Sequence, residues 1–309
     1  MNILLIGYYG FGNFGDDWLC VQSQKILQDH IPNCQFKIAI KHPKDTTHIN
    51  RWSLSEMVKA ILWSDHIIFG GGGLFQTRTS YRSIWYYISI LVGAFILRRP
   101  YSLIGQSIGP ISCGITKKVT TLLLSNASLL SVRTLFPRLK QSIITADLGY
   151  YHAKFKLNSQ QTGQIAVCLR QSWMTPKIRL ELNMLSDPLC LICQPNEDVI
   201  GTNHSYLSQC TDRLSLVISM RYHACVWASL QGIPFIALGD DPKLESIAMC
   251  CGQLWVSLKQ EKGSQEDTLV TAIKDIQQNW TTYHSHLVTT VPDLISSFVP
   301  LQTALHTLR

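Results

Sequence analysis

At 309 residues, 46% hydrophobic and 15% charged, the chain is too long for one ordinary core and too apolar to be disordered. Its net charge of +7 is unevenly spread: residues 1–157 carry 17 Lys and Arg against 7 Asp and Glu, residues 158–309 carry 10 against 13. A basic first half points to a polyanionic or membrane-surface partner, with a plainly solvated surface as the bland alternative, and no nucleic-acid-binding motif accompanies it.

The chain opens on Ile3–Ile6, read as a buried strand and too short for a secretory signal. Gly10-Phe11-Gly12-Asn13-Phe14-Gly15 follows, and Asp16 or Asp17 is placed to cap a helix whose Leu19, Ile26, Leu27 and Ile31 recur at helical spacing. Phe36–Ile40 is a second strand. His66–Phe69 is another, ending in the run Gly70 to Gly73, with a helix expected from Thr77–Ser80 through Phe95. The apolar stretch Ile84–Leu97 is too short to cross a membrane. It reads first as a buried helix and second as an interfacial one. Tyr101–Ile104 leads into Gly105-Gln106-Ser107-Ile108-Gly109-Pro110, and Leu129–Val132 ends at Arg133.

The polar Leu157–Gly163 marks a boundary, giving expected domains 1–157 and 158–309. Beyond it, Ile165–Leu169 ends at Arg170 and Leu189–Cys193 is closed by Pro195. Leu216–Ser219 runs into Met220-Arg221, with His223 where the next helix begins; that helix ends near Gly232. Phe235–Leu238 precedes Asp241-Pro242-Lys243, and from about Asp267 the chain reads as helical. Strand–helix alternation in both halves implies two Rossmann-like, doubly wound parallel sheets, whose carboxyl edges are expected to face a cleft. Ten cysteines without a regular framework suggest reduced thiols in a cytoplasmic protein. The Cys190/Cys193 pair lacks a second half, so no metal site is expected.

Arg221 and His223 form the most informative pair. Arginine grips carboxylate or phosphate with two prongs, and histidine moves protons near neutral pH. The positive end of the helix dipole favours a neutral, proton-accepting imidazole. Arg133 and Arg170 also end strands, with no acidic residue beside them in sequence, and Lys243 follows another. Together they suggest an anion clamp; a salt bridge or a solvated turn is the ordinary alternative for each. Gly10 and Gly12 fit a dinucleotide fingerprint. However, Lys41 and His42 stand where an acidic residue is expected, and Asp16 and Asp17 would repel a pyrophosphate. An NADP enzyme survives as a minor alternative. The preferred reading is a backbone loop that admits a sugar, with Asp16 or Asp17 accepting hydroxyl hydrogen bonds, or else a helix cap and tight turn. Gly71, Gly72 and Gly73 are read as a loop in close contact with ligand, since four ordered glycines are costly.

The motifs GYYGFGNFGDD (Gly7 to Asp17), GGGGLFQTRTSYRS (Gly70 to Ser83), GQSIGP (Gly105 to Pro110), SVR (Ser131 to Arg133), SMRYHA (Ser219 to Ala224) and DPK (Asp241 to Lys243) occur in one order. The set resembles the polysaccharide pyruvyl transferase family. The resemblance implies a glycosyltransferase-B-like fold and transfer of pyruvate from phosphoenolpyruvate onto two hydroxyls of a sugar or lipid-linked saccharide, with no other cofactor. It implies Arg221 and His223 as catalytic residues and Arg133 as a donor ligand. Arg170 and Lys243 are added as donor ligands from their strand-end positions, and Gln106 joins the glycines and Asp16/Asp17 on the acceptor side. The implied setting is cell-surface polysaccharide synthesis, at the inner face of the membrane if the acceptor is lipid-linked. The chain departs from the family pattern at Tyr222, Asp240, Leu148 and across residues 171–212, which bears on the acceptor more than the donor. A nucleotide-sugar glycosyltransferase and a non-catalytic carbohydrate-binding relative remain open.

Overall fold

The computed structural model describes residues 1–78, 80–134, 136, 139, 141–157, 161, 163–170, 176–182, 185, 189–193, 211–259 and 269–308. The chain divides into two compact units: Met1–Phe11, Asp16–Tyr151 and Ser296–Arg309 form the first, Gly12–Gly15 and His152–Ile295 the second.

In the first unit the strands are β1 (Asn2–Tyr9), β2 (Gln35–Ile40), β3 (His48–Asn50), β4 (His66–Phe69), β5 (Gly72–Phe75), β6 (Tyr101–Ile108), β7 (Leu129–Val132) and β8 (Ile143–Ile144). They form one sheet in the order β3-β2-β1-β4-β6-β7-β8, with β5 also on β6. Every pairing is parallel. β1 and β4 are buried almost throughout, as expected for strands covered by helices on both faces. The helices are α1 (Phe14–His30), α2 (Leu54–Trp63), α3 (Tyr81–Ile96) and α4 (Gly114–Ser125). Ser53 and Ser80 cap α2 and α3 through their hydroxyls.

The second unit has β9 (Gln164–Arg170), β10 (Leu189–Cys193), β11 (Leu214–Ser219), β12 (Phe235–Leu238) and β13 (Leu254–Val256), in the parallel order β10-β9-β11-β12-β13. Its helices include α5 (Pro176–Leu182), α6 (Tyr222–Leu230), α7 (Pro242–Cys250), α8 (Leu269–Gln278) and most of α9 (Trp280–Ser296). The last helix, α10 (Val299–Leu305), returns to the first unit. There the Ala146 N–H donates to Ser297 Oγ at 2.9 Å, and Phe298 meets the Tyr151 ring edge-on. Two doubly wound parallel sheets are thus present, as the strand–helix alternation predicts.

Three local expectations change. Asp16 and Asp17 do not cap α1, which begins at Phe14; they lie in its first turn, where carboxylates suit the helix dipole. The glycine run is not an open loop, because Gly72 and Gly73 start β5. The Ile84–Leu97 helix is only half buried: Ile84, Ile88 and Leu91 face the core, while Trp85, Phe95 and Ile96 are exposed. No helix among the described residues is long and apolar enough to cross a membrane.

At the amino edge of the first sheet, His66 is buried and its Nε2 lies 2.8 Å from Ser102 Oγ. Burial pushes its imidazole down to about 4 from an ordinary 6.5, since the charged form is poorly solvated there. The depressed folded value means that the stability contribution is complete above about pH 6.5. It is lost as pH falls from there toward 4, where only the unfolded chain takes up the proton. We expect stability to drop by up to about 1.4 kcal/mol per pH unit in that window from this group. In urea titrations the gap between wild type and His66→Gln should narrow as pH falls; a gap constant with pH would refute a buried neutral imidazole.

Candidate functional site

Ligands of open parallel sheets bind where the strand order reverses, because adjacent crossovers then leave the sheet in opposite directions and open a crevice at the carboxyl edge. In the second unit the reversal lies between β9 and β11, since β10 flanks one side of β9 and β11, β12 and β13 follow on the other. The chain leaves β11 through Ser219-Met220-Arg221, and the Met220 N–H donates to Cys168 O of β9 at 2.8 Å. Arg221 is therefore at the reversal point.

This turn is held rigidly. Ser219 is fully buried; its hydroxyl accepts from the Arg221 N–H at 2.9 Å and donates to the Arg221 carbonyl at 3.0 Å. Arg221 occupies the N-cap position of α6 in extended backbone and is 9% exposed. His223 sits in the first turn of α6, half-buried, with the Tyr222 ring edge-on at 5.2 Å. From Ala224 to Leu230 the helix is buried all round, which fixes its first turn. Sequence reasoning missed Ser219 as the residue that shapes this turn, although the motif containing it was visible.

The Gly12–Gly15 segment also belongs to the second unit. Gly15 is buried, and a Cβ built on it would fall inside the His223 ring. Glycine is thus required here by the imidazole's position. Gly12 has φ +76 and is exposed. Lys243 is in the first turn of α7, partly exposed, and its backbone N–H donates to the capping Asp241 carboxylate at 3.1 Å. Asp240 holds the stretch after β13 through Ser257 Oγ and the Leu258 N–H. Arg170 ends β9, and its side chain lies outside the described residues, as do those of Cys190 and Cys193 and most of residues 171–212.

In the first unit the reversal lies between β1 and β4, whose carboxyl ends lead into Gly10 and Gly70. Gly10 has φ +75, and its N–H donates to Asp17 Oδ1 at 2.8 Å, so Asp17 closes the glycine turn. Gly71 is packed by protein, with a Cβ there meeting Leu148 Cδ1 at 2.9 Å. Gly72 needs glycine for its φ of +135 and faces Asp16, whose Oδ1 would lie 3.6 Å from a Cβ. Gly73 is partly buried in β5. Gln106 is fully buried: its Oε1 accepts from the Leu74 N–H at 3.4 Å and its Nε2 donates to the Gly70 carbonyl. Its amide ties β6 to the glycine turn. The structure thus brings Gly10, Asp16, Asp17 and Gly72 together and sets Gly71 and Gln106 into packing.

Arg133 has a carboxylate partner that adjacency in sequence did not reveal. Its guanidinium pairs with Asp147 at 2.6 Å, both side chains buried, and its Nε–H donates to the Gly105 carbonyl at 3.0 Å. Asp147 also accepts from the Gly149 N–H at 2.7 Å.

A residue the sequence reading did not single out dominates the nearby surface. Arg51, just after β3, is 3% exposed and donates to the Gly7 carbonyl at 2.8 Å and to Tyr87 Oη at 3.2 Å. Its guanidinium lies 4.6 Å from the Tyr86 ring, 5.0 Å from Phe11 and 5.2 Å from Trp52. Tyr8 stacks on Phe11 at 4.0 Å, and Trp52 is 61% exposed. Burial, then the nearby Asp16 charge, raises the Tyr8 phenol, and Arg51 opposes them. An aromatic shelf backed by a buried cation therefore stands at the carboxyl edge of β1 to β3. Among the described residues, no cluster of three or more His, Cys, Asp or Glu could hold a metal ion.

Residues 13–133 match the family model of polysaccharide pyruvyl transferase, so the resemblance drawn from the motifs is borne out over that stretch. The match ends at Arg133 and does not reach Arg221 or His223. No curated protein matches the chain by sequence. Among solved structures, it is similar to UDP-GlcNAc 2-epimerase from Neisseria meningitidis bound to UDP-GlcNAc, at 11% identity and TM-score 0.60, covering 99% of both chains. S. aureus MnaA with UDP gives 10% identity and TM-score 0.58 over 98% of this chain and 97% of that one. Anabaena Alr3699/HepE with UDP and glucose gives 12% identity and TM-score 0.55 over 100% of both. At these identities the likeness establishes the glycosyltransferase-B-like fold class alone.

Two predictions test the local readings. Gly15→Ala should lower stability by about 1–3 kcal/mol in urea unfolding, since forcing a Cβ into the His223 ring outweighs the helix preference of alanine over glycine. It should displace the His223 ring, visible as shifted imidazole NMR resonances; unmoved resonances would contradict the packing. Arg133→Ala leaves Asp147 buried without its partner and should cost about 3–5 kcal/mol in urea unfolding. A loss below about 1 kcal/mol would mean that the pair is not structural.

Proposed function

We propose that the chain is a pyruvyl transferase that moves pyruvate from phosphoenolpyruvate onto two neighbouring hydroxyls of a saccharide, forming a cyclic ketal for a cell-surface polysaccharide. The observation that carries this reading is Arg221 at the strand-order reversal of the second sheet with His223 two residues on. The family match in the first unit supports it.

The donor is assigned to the second unit. Arg221 grips its carboxylate or phosphate oxygens, with Lys243 and Arg170 as further cations. Arg133 is left out, because Asp147 already holds it. His223 serves as general acid or base. One sugar hydroxyl adds to C2 while C3 gains a proton and becomes the methyl group. The C2–O bond to phosphate breaks, and the second hydroxyl adds to C2 as its proton leaves. The products are the ketal and inorganic phosphate, so two hydroxyl protons and one phosphate balance the equation. Arg221 stabilises charge on the departing phosphate.

The saccharide is assigned to the first unit. Asp16 beside Gly72 offers a carboxylate for hydroxyl hydrogen bonds, and the Tyr8, Phe11 and Trp52 rings offer apolar faces to sugar C–H groups. Gly10 keeps backbone accessible there, while Gly71, Gly73, Asp17 and Gln106 support the turns.

The test is phosphate release from phosphoenolpyruvate across a panel of saccharide acceptors. Wild type should release phosphate only with an acceptor, and His223→Ala should lose about 10²–10⁴-fold of the rate. Binding of UDP or a nucleotide sugar, with no phosphoenolpyruvate binding and no turnover, would replace this reading with a glycosyltransferase. Saccharide binding unaffected by His223→Ala, with no turnover of any donor, would leave a carbohydrate-binding protein.

A further inference from the structure

We infer that the outer face of α2 and α3 is a docking surface for an anionic phospholipid bilayer. Three successive crossovers, from β3 to β4, from the β4/β5 segment to β6, and from β6 to β7, all move the same way along the sheet. Right-handed connections place their helices α2, α3 and α4 side by side on one face. A Cβ built on Gly93 of α3 would lie 3.7 Å from Ile61 Cδ1 of α2, and the Arg99 guanidinium donates to the Leu62 carbonyl at 2.6 Å.

A helix in such a layer normally buries one apolar stripe and shows water a polar one. α2 buries Met57, Ala60 and Ile61 yet also exposes Leu54, Val58 and Leu62, a second apolar row at intervals of four. α3 buries its core face and exposes Trp85, Val92, Phe95 and Ile96, with Phe95 at 59% and Ile96 at 69%. At 16 residues α3 is too short to span a bilayer, so any contact with one would be along this face.

Charge selects the partner. From residue 54 to 126 the chain has seven Lys and Arg and two acidic residues, Glu56 and Asp65. Where α3 ends, a groove of 590 Å³ is lined by Phe95, Ile96, Arg98, Arg99, Tyr101 and Asn126 among others. Arg98 is exposed and holds φ +50. Apolar side chains beside two guanidinium groups match acyl chains beneath a phosphate headgroup.

Vesicle co-sedimentation of the whole chain needs neither donor nor acceptor, so it stands or falls apart from the transferase reading. Wild type should pellet with vesicles of phosphatidylcholine and phosphatidylglycerol, and weakly with phosphatidylcholine alone. Phe95→Glu with Ile96→Glu should weaken binding at least tenfold at unchanged circular dichroism. Arg98→Gly, which suits the left-handed backbone, should weaken it several-fold and flatten its salt dependence. No pelleting of wild type with anionic vesicles would overturn the proposal. So would a folded double variant that binds as wild type does, or a wild-type dimer that ignores vesicles and dissociates on the double substitution.

Discussion

Parallel pairing is the constraint on which the chemistry of this chain depends. Each parallel strand delivers its carboxyl end to the same edge, so residues far apart in sequence reach one rim without special design. β1 and β4 do this in the first unit, ending at Gly10 and Gly70; β9 and β11 do it in the second, ending at Arg170 and Ser219. The apolar runs that make these strands buried therefore also decide which polar residues can act together. Were β11 displaced by one residue, Arg221 would change faces along with every core side chain behind it.

The glycines show how differently one residue type serves that rim. Gly10 and Gly72 hold positive φ. Gly71 gives way to Leu148 and Leu19, and Gly15 to the His223 imidazole. Only the first kind reflects the backbone itself; the second is a matter of what stands opposite. A run such as Gly70 to Gly73 can then be demanded by packing and by the start of a strand, with no ligand needed to explain it.

That distinction also sets what the sequence could disclose. The strands were legible because a strand buried on both faces is a short unbroken apolar run, as in Ile3–Ile6 or Leu216–Ser219. Arg221 and His223 were legible because they sit immediately after such a run. Asp147 beside Arg133, and Gly15 against His223, were not, since nothing local records a contact made by folding. Arg51 was hidden for another reason: β3 is three residues long and only Ile49 in it is buried, so no apolar run announced the edge on which the arginine stands.

Four arginine settings in one chain separate by what surrounds the charge. Asp147 neutralises Arg133 in the interior, and a buried guanidinium so matched has little left to offer an incoming anion. Among the described residues no carboxylate pairs with Arg51; aromatic faces and the Gly7 carbonyl receive its charge instead. That keeps a positive field under the exposed Trp52 without giving a ligand direct access to the guanidinium. Arg98 lies in water, where its attraction for a single anion is weak and screened by salt, so it acts only in company with Arg99 and the apolar groups beside it. Arg221 combines burial with a position at the open rim of a sheet. On the proposed reading, low dielectric would strengthen its pull on an anion, and the Ser219 turn, which fixes its backbone beforehand, would reduce the ordering that binding requires.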